Sequence, residues 1–265
     1  MNVVIIGSGN VATILGRKMF LAGHEIRQIV GRHEDNAAPL ADELNCGYVL
    51  TLDEINKDSD LYIIAISDSS LAEIGTELFL DKQLVVHTAG SVPKSVLEKV
   101  SRNYGVLYPL QSLRKEIKTT PEMPLLVDAN TEDNLTLIYD FAKTISDKVE
   151  AASDEERLKL HVGAIIVNNF ANHLYALTED YCRNENIHFQ MLLPLINETA
   201  SRLNSFPPKE VQTGPAERND FQTIEKHIEL LAQNPALKKI YEVMTESIIQ
   251  NVRFKVEKFK VVSDK

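Results

Sequence analysis

Four polar side chains in an apolar stretch are the first candidates for chemistry. Between His161 and His173 the residues are mostly small or apolar, and His161, Asn168, Asn169 and Asn172 are exceptions. At about 100° per residue, His161, Asn168 and Asn172 fall within a narrow arc of one helical face, with Ile165 among them. A histidine there can give or take a proton near neutral pH, and the amide of Asn168 or Asn169 can orient a carbonyl or carboxylate. The same groups can instead satisfy backbone across a buried interface, since the composition of the stretch predicts burial against a neighbouring domain. Farther on, Thr213-Gly214-Pro215-Ala216-Glu217-Arg218-Asn219-Asp220 sets Arg218 in a Gly-Pro loop, from which a guanidinium reaches an anionic substrate bidentately. Alternatively Arg218 pairs with Asp220, or Asp220 or Thr223 only caps the next helix.

A second kind of chemistry is written at the start of the chain. Asn2-Val3-Val4-Ile5-Ile6-Gly7-Ser8-Gly9-Asn10-Val11-Ala12 places a glycine turn between an apolar strand and a helix. Gly7 permits the tight turn, Gly9 lets backbone approach a phosphate, and Ala12 allows close helix–strand packing. With Ser8, Asn10 and Val11, the turn predicts a dinucleotide pyrophosphate held by free N–H groups at the positive end of a helix. An ordinary turn is the plainer reading of a lone glycine pattern; the strand before it and the helix after it favour the nucleotide. At the end of the second strand stands Gly31-Arg32-His33. An acid at that place holds the ribose 2′-hydroxyl of NAD, whereas an arginine suits the 2′-phosphate of NADP. Arg32 therefore points to NADP, with Glu34 and Asp35 as the ribose acids if the strand ends later, and a solvated loop as the plainer alternative.

Ligands bind outside the carboxyl ends of strands in open parallel sheets, so polar groups at the remaining strand exits are the next candidates. Leu61–Ile66 runs into Ser67-Asp68-Ser69, where Ile66, Ser67 and Asp68 can face a ribose or nicotinamide, or Ser67 can simply cap a helix. Leu84–His87 runs into Thr88, Ala89, Gly90 and Ser91, and His87, Thr88, Ala89 and Gly90 are expected to touch the cofactor. Gly105–Tyr108 runs into Pro109-Leu110-Gln111-Ser112, where Gln111 can present an amide.

The elements that must carry these groups are legible as a change of pattern. Short β-branched runs alternate with helical periodicity from residue 1 to about 150, the pattern of a parallel sheet with crossover helices. Strands are expected at Val3–Ile6, Glu25–Val30, Tyr48–Leu50, Leu61–Ile66, Leu84–His87, Gly105–Tyr108, Leu125–Val127 and Lys148–Ala151. Strand signals stop after Ser153, and helices follow with breaks at Pro194, Ser205-Phe206-Pro207-Pro208 and Asn234-Pro235. The expected division is a dinucleotide-binding domain over 1–153 and a helical domain over 154–265, the latter making a homodimer. Met191 to Ile196 reads as core or subunit interface.

Composition narrows the class. The chain has 265 residues and a formal net charge of −10, which argues against a grip on nucleic acid. Cys46 and Cys182 have no metal-ligand or disulfide spacing, so no metal site is expected and a reducing cytoplasm fits. There is no apolar run of about 18 residues to span a membrane, and the mixed stretch Arg253–Lys265 is too short to argue membrane binding.

On the glycine turn, Gly31-Arg32, the stretches His87–Ser91 and Tyr108–Ser112, and Thr213–Asp220, the chain resembles a family of Rossmann-like proteins with a helical C-terminal domain of unknown function, described as deazaflavin-dependent NADP oxidoreductase-like. The resemblance covers essentially the whole chain. It extends more distantly to pyrroline-5-carboxylate reductases, ketopantoate reductases and β-hydroxyacid dehydrogenases. It implies an α/β fold, a Rossmann-type doubly wound and mostly parallel sheet followed by an all-helical domain similar to the C-terminal part of 6-phosphogluconate dehydrogenase. It also implies NADP(H) and a small-molecule substrate in a cleft between the domains. One departure stands out: β-hydroxyacid dehydrogenases carry a catalytic lysine three residues before the asparagine, and here that residue is Ile165. The expected function is thus an NADP(H)-dependent oxidoreductase acting on a small, anionic carbonyl, imine or hydroxy compound, with His161, Asn168, Asn169 and Arg218 at the reacting end. A non-catalytic NADP(H) sensor or scaffold is the alternative, and a deazaflavin beside NADP a third possibility.

Overall fold

Both faces of the first strand are buried, and this explains the architecture. In the computed structural model, which describes residues 1–117 and 122–263 with side chains through 251, Val3 and Ile5 of β1 (Asn2–Ile6) enter one apolar core and Val4 and Ile6 the other. Alternate residues of a strand face opposite ways, so an unbroken apolar run requires cover on both faces. Helices α1 (Asn10–Leu21), α2 (Glu34–Glu43) and α5 (Glu132–Lys143) supply it on one side through Leu15, Leu40 and Phe141. The short turns α3 (Asp68–Leu71) and α4 (Ile74–Glu77) supply it on the other through Leu71 and Ile74.

The sheet has eight strands in the order β3-β2-β1-β4-β5-β6-β7-β8. Strands β2 (Glu25–Val30), β3 (Gly47–Val49), β4 (Leu61–Ile64), β5 (Asp81–His87) and β6 (Ser101–Pro109) run parallel with β1. β7 (Leu125–Ala129) is antiparallel to β6, and β8 (Val149–Ala151) is parallel to β7. This is the doubly wound sheet expected, mostly parallel. The order reverses between β1 and β4, and there the exits diverge to leave a crevice. The strand expected over Leu61–Ile66 ends at Ile64, because Ala65 N–H turns to the Ile6 carbonyl, 2.7 Å away, and the chain leaves for α3.

Two compact units divide the chain, Met1–Asn168 and Asn169–Lys265. α6 (Asp154–Ala164) thus belongs to the same unit as the sheet, although strand signals end before it. A capping box starts it: Ser153 Oγ accepts from Glu156 N–H, and the Glu156 carboxylate accepts from Ser153 N–H. A π-helical stretch, Ile165–Phe170, follows and leads into α7 (Ala171–Asn184). The second unit continues with α8 (Leu193–Ser201), α9 (Phe221–Leu230) and α10 (Pro235–Ser263). Pro194 and Pro235 stand in the first turns of their helices, where no N–H is missed. Side chains of Arg253–Lys265 lie outside the described residues.

The expected burial of residues 161–173 is corrected: Val162, Ile166 and Phe170 are exposed, and Val167 is 75% exposed. The narrow arc is corrected too. A π turn takes up an extra residue relative to an α turn, so Asn168 and Asn172 lag the α-helical phase counted from His161.

Candidate active site

The crevice at the strand exits is a cleft of about 1080 Å³, lined by the turns after β1, β2, β3, β4 and β5 and by His161. Gly7 makes its first corner. Its φ is +120°, and a Cβ there would stand 2.1 Å from the Ala65 carbonyl oxygen, so only glycine fits. Gly9 has the complementary role. It precedes α1, no side chain caps that helix, and a Cβ on Gly9 would meet no atom within 4 Å. A bare helix N-terminus facing open space suits an anion, because the first N–H groups lack intrahelical acceptors. Ser8, Asn10 and Val11 line the same corner. Ala12 does not touch the cleft: it is fully buried, and its small side chain packs in the core between helix and strand.

Gly31, Arg32 and His33 line the cleft at the end of β2. Gly31 has the Ser8 hydroxyl against it, and a Cβ would lie 3.1 Å from that oxygen and 2.7 Å from Ala37 Cβ. Arg32 and His33 are exposed, and among the described residues Arg32 makes no ion pair. Glu34, an alternative ribose acid, accepts instead from the Tyr48 hydroxyl at 2.5 Å. The turn after β3 adds Thr51 and Asp53. Neither follows from the sequence analysis, although it expects the short strand just before them.

Beyond β4, Ile66, Ser67 and Asp68 line the cleft, and Ser67 also caps α3 through Ser70 N–H at 3.4 Å. Beyond β5, Thr88, Ala89 and Gly90 line it. His87 does not, and its assignment to the cofactor is corrected: the ring is fully buried at the end of β5, Nδ1 accepts from Ala89 N–H at 3.2 Å, and burial with the nearby Arg157 cation pushes its pKa down to about 4.

His161 reaches the cleft from α6. Its Nδ1 is 2.9 Å from the Tyr108 hydroxyl, the two rings meeting edge-on at 77°. A Cβ on Gly90 would stand 2.7 Å from Nδ1 and 2.9 Å from Tyr108 Cζ, so the pair packs directly on the glycine backbone. One turn earlier, Arg157 is 1% exposed, donating through Nη2 to the Val92 carbonyl at 2.5 Å and to Asp154 Oδ1 at 2.6 Å. Asp154 Oδ1 also accepts from Lys94 N–H at 3.0 Å, tying the start of α6 to the loop after β5. From the sequence Tyr108 is a strand end and nothing more. The signal for Tyr108 was its place at a strand exit, beside Gln111, whose amide is taken up by the Glu122 carbonyl and Ser112 N–H.

The other expected residues lie elsewhere. Asn168 and Asn169 are exposed in the π-helical stretch and do not line the cleft. Arg218 is exposed in the second unit, and Asp220 caps α9 by accepting from Thr223 N–H at 3.1 Å. Among the described residues no cluster of three or more His, Cys, Asp or Glu could hold a metal, and no helix is long and apolar enough to cross a membrane.

Two family models match the chain: NADP oxidoreductase, coenzyme F420-dependent, over residues 2–90, and a domain of unknown function (DUF2520) over residues 123–248. Among solved structures, a candidate NADP oxidoreductase from Bacteroides fragilis, BF3122, is 36% identical with a TM-score of 0.88, the match covering 94% of this chain and 98% of that one. A 1-pyrroline-5-carboxylate reductase from Streptococcus pyogenes is 15% identical, with a TM-score of 0.61 over 94% of this chain and 98% of its own. An imine reductase from Myxococcus stipitatus, solved with NADP+, is 13% identical, with a TM-score of 0.60 over 97% and 94%. These two share the fold. A search of curated proteins finds no match.

Proposed function

The chain belongs to the family of the Bacteroides fragilis candidate NADP oxidoreductase, an NADP oxidoreductase domain continued by the DUF2520 domain, and from that membership we propose that it is an NADP(H)-dependent oxidoreductase of a small, anionic carbonyl, imine or hydroxy compound. The observation that carries the reading is His161, a proton-transfer group placed on the lining of a cleft otherwise built from strand exits and a bare helix N-terminus. Gly7, Ser8, Gly9 and Asn10 would hold the pyrophosphate, and Arg32 with His33 the 2′-phosphate. Ile66, Ser67, Asp68, Thr88, Ala89 and Gly90 would face the nicotinamide riboside. When bound, the nicotinamide supplies or accepts hydride. His161 gives a proton to the substrate heteroatom or takes one from it. Asn168, Asn169 and Arg218 are exposed polar groups available to orient the substrate, and the reading does not depend on them.

Titration with NADPH and NADH tests the cofactor. NADPH is expected to bind more tightly, and Arg32→Ala to weaken it by roughly 10- to 100-fold, the loss of one to two charge-assisted hydrogen bonds, with NADH little changed. Equal affinity for both nucleotides, or none for either, refutes it. With a substrate identified from a carbonyl and imine panel, full turnover by His161→Ala removes His161 from the role. Ile165, standing where β-hydroxyacid dehydrogenases carry lysine, favours a second reading as a non-catalytic NADP(H) sensor; it predicts nucleotide-dependent assembly or partner binding with no turnover across that panel. Deazaflavin binding in the same titrations would extend the site to two cofactors.

The reading includes a homodimer through the helical half, supported by the exposure there of Leu195, Phe206, Leu230 and Met191, the last at 77%. A sedimentation mass of one 29.8 kDa chain at working concentration counts against it. Free Cys46 and Cys182 suit a reducing cytoplasm.

A further inference from the structure

We propose that Tyr108 is a positioning residue for His161: its hydroxyl donates to Nδ1 and holds the neutral imidazole as the tautomer protonated on Nε2, so that the cleft meets an N–H donor. The inference deepens the assignment of proton transfer to His161 and rests on it. It adds a substrate class. A ring fixed with its proton on Nε2 matches a group that presents an acceptor, a carbonyl oxygen or an imine nitrogen. Nε2–H polarises that acceptor by hydrogen bonding as hydride arrives, and the same contact serves the reaction in either direction.

Geometry carries the argument. Tyr108 is on β6 and 9% exposed, and its hydroxyl lies 2.9 Å from Nδ1. Nδ1 is the one partner of that hydroxyl among the described residues, whereas Nε2 of His161 has none there. Gly90 backbone packs against both rings, since a Cβ would come within 2.7 Å of Nδ1 and 2.9 Å of Tyr108 Cζ. Two anchors hold His161 in reach: the Ser153–Glu156 capping box and the Arg157 bonds to Val92 and Asp154. The direction of donation follows from what surrounds the phenol. Burial keeps it protonated, raising its pKa against the opposing pull of the Arg157 cation, while Asp68 adds to the rise. The reverse bond, Nδ1–H into the phenol oxygen, would leave a mostly buried hydroxyl hydrogen without an acceptor, which costs free energy.

The test is a long-range 1H–15N correlation spectrum of the uniformly 15N-labelled full chain, without nucleotide, near pH 8.5 where an ordinary imidazole is neutral. Loss of signals in His161→Asn assigns the ring. Nε2 is expected in the protonated range and Nδ1 in the unprotonated range, displaced by accepting a hydrogen bond. Tyr108→Phe keeps the ring packing and is expected to lose that displacement and show a second tautomer. A wild-type ring protonated on Nδ1, or an unchanged ring signature in folded Tyr108→Phe, overturns the proposal. If Tyr108→Phe does not fold, the wild-type spectrum decides alone. Because neither nucleotide nor substrate is present, this result is separate from NADPH affinity and from turnover by His161→Ala.

Discussion

Lowering the pH from 7 toward 4 should destabilise the sheet-containing unit through one buried ring. His87 is fully buried, and its Nε2 has no hydrogen-bond partner among the described residues. Burial, and then the Arg157 cation, push its pKa from 6.5 down to about 4, with Asp154, the Pro93 carbonyl and Asp68 pulling the other way. The folded value lies below the unfolded one, so the unfolded chain binds the extra proton. Stability is therefore complete above about pH 6.5, falls through the window from about 6.5 to about 4, and is flat below it as far as His87 is concerned. A gap of about 2.5 pH units at 1.36 kcal/mol each is worth about 3 kcal/mol in full, and about 2 kcal/mol is already lost at pH 5. That is a large part of the roughly 5–15 kcal/mol that holds an ordinary domain. The chain has no tryptophan, so urea unfolding followed by far-UV circular dichroism at steps from pH 7 to 4.5 is the assay. His24, also lowered, chiefly by burial, contributes with the same sign, and comparison with His87→Gln removes its share. The wild type should lose about 2 kcal/mol more than His87→Gln between pH 7 and 5. Parallel curves for the two proteins would refute the reasoning.

Two substitutions probe the groups that set the cleft. Gly7→Ala puts a Cβ 2.1 Å from the Ala65 carbonyl at a φ of +120°, and should cost on the order of 3 kcal/mol in urea unfolding and abolish NADPH binding; a variant of wild-type stability and affinity would contradict the geometry. Arg157→Met removes a buried cation while its partner Asp154 stays one-third exposed, so the cost should be near the low end of the range for a broken buried pair, about 3 kcal/mol, and a loss under about 0.5 kcal/mol would mean that the Val92 and Asp154 bonds do not hold α6.

The sheet was legible because its inner strands announce themselves. Val3 to Ile6, Leu61 to Ile64 and Leu84 to Val86 are apolar without interruption, which only strands buried on both faces need. The outer part of β6 was not legible. Ser101, Arg102 and Asn103 carry no strand signal, and they extend because Ser101 Oγ and Asn103 Nδ2 bond the Asp81, Gln83 and Lys82 carbonyls of β5. That pairing is a tertiary choice with no local trace. The π-helical stretch is similarly silent, since Ile165, Ile166 and Val167 read equally as one face of an α-helix. Counting 100° per residue through it placed Asn168 and Asn172 wrongly.

The cleft divides along the same physical line. Backbone groups were readable from sequence, since a glycine with no tolerable Cβ or a bare helix start is a property of a few neighbouring residues. Gly7, Gly9 and Gly31 all line the cleft as expected. Groups recruited by long-range packing were not readable. Tyr108 and His161 are fifty-three positions apart, and Arg157 and Val92 sixty-five. What joins them is α6. Residues four apart share a helical face, so Arg157 and His161 point the same way. The first is buried as an anchor and the second is left half-buried at the cleft. A lysine at position 165 would begin the π-helical stretch, a full turn beyond the residue that the Arg157 anchor holds. His161 is therefore the better-anchored position for a proton-transfer group on this helix, and Ile165 is free to be apolar.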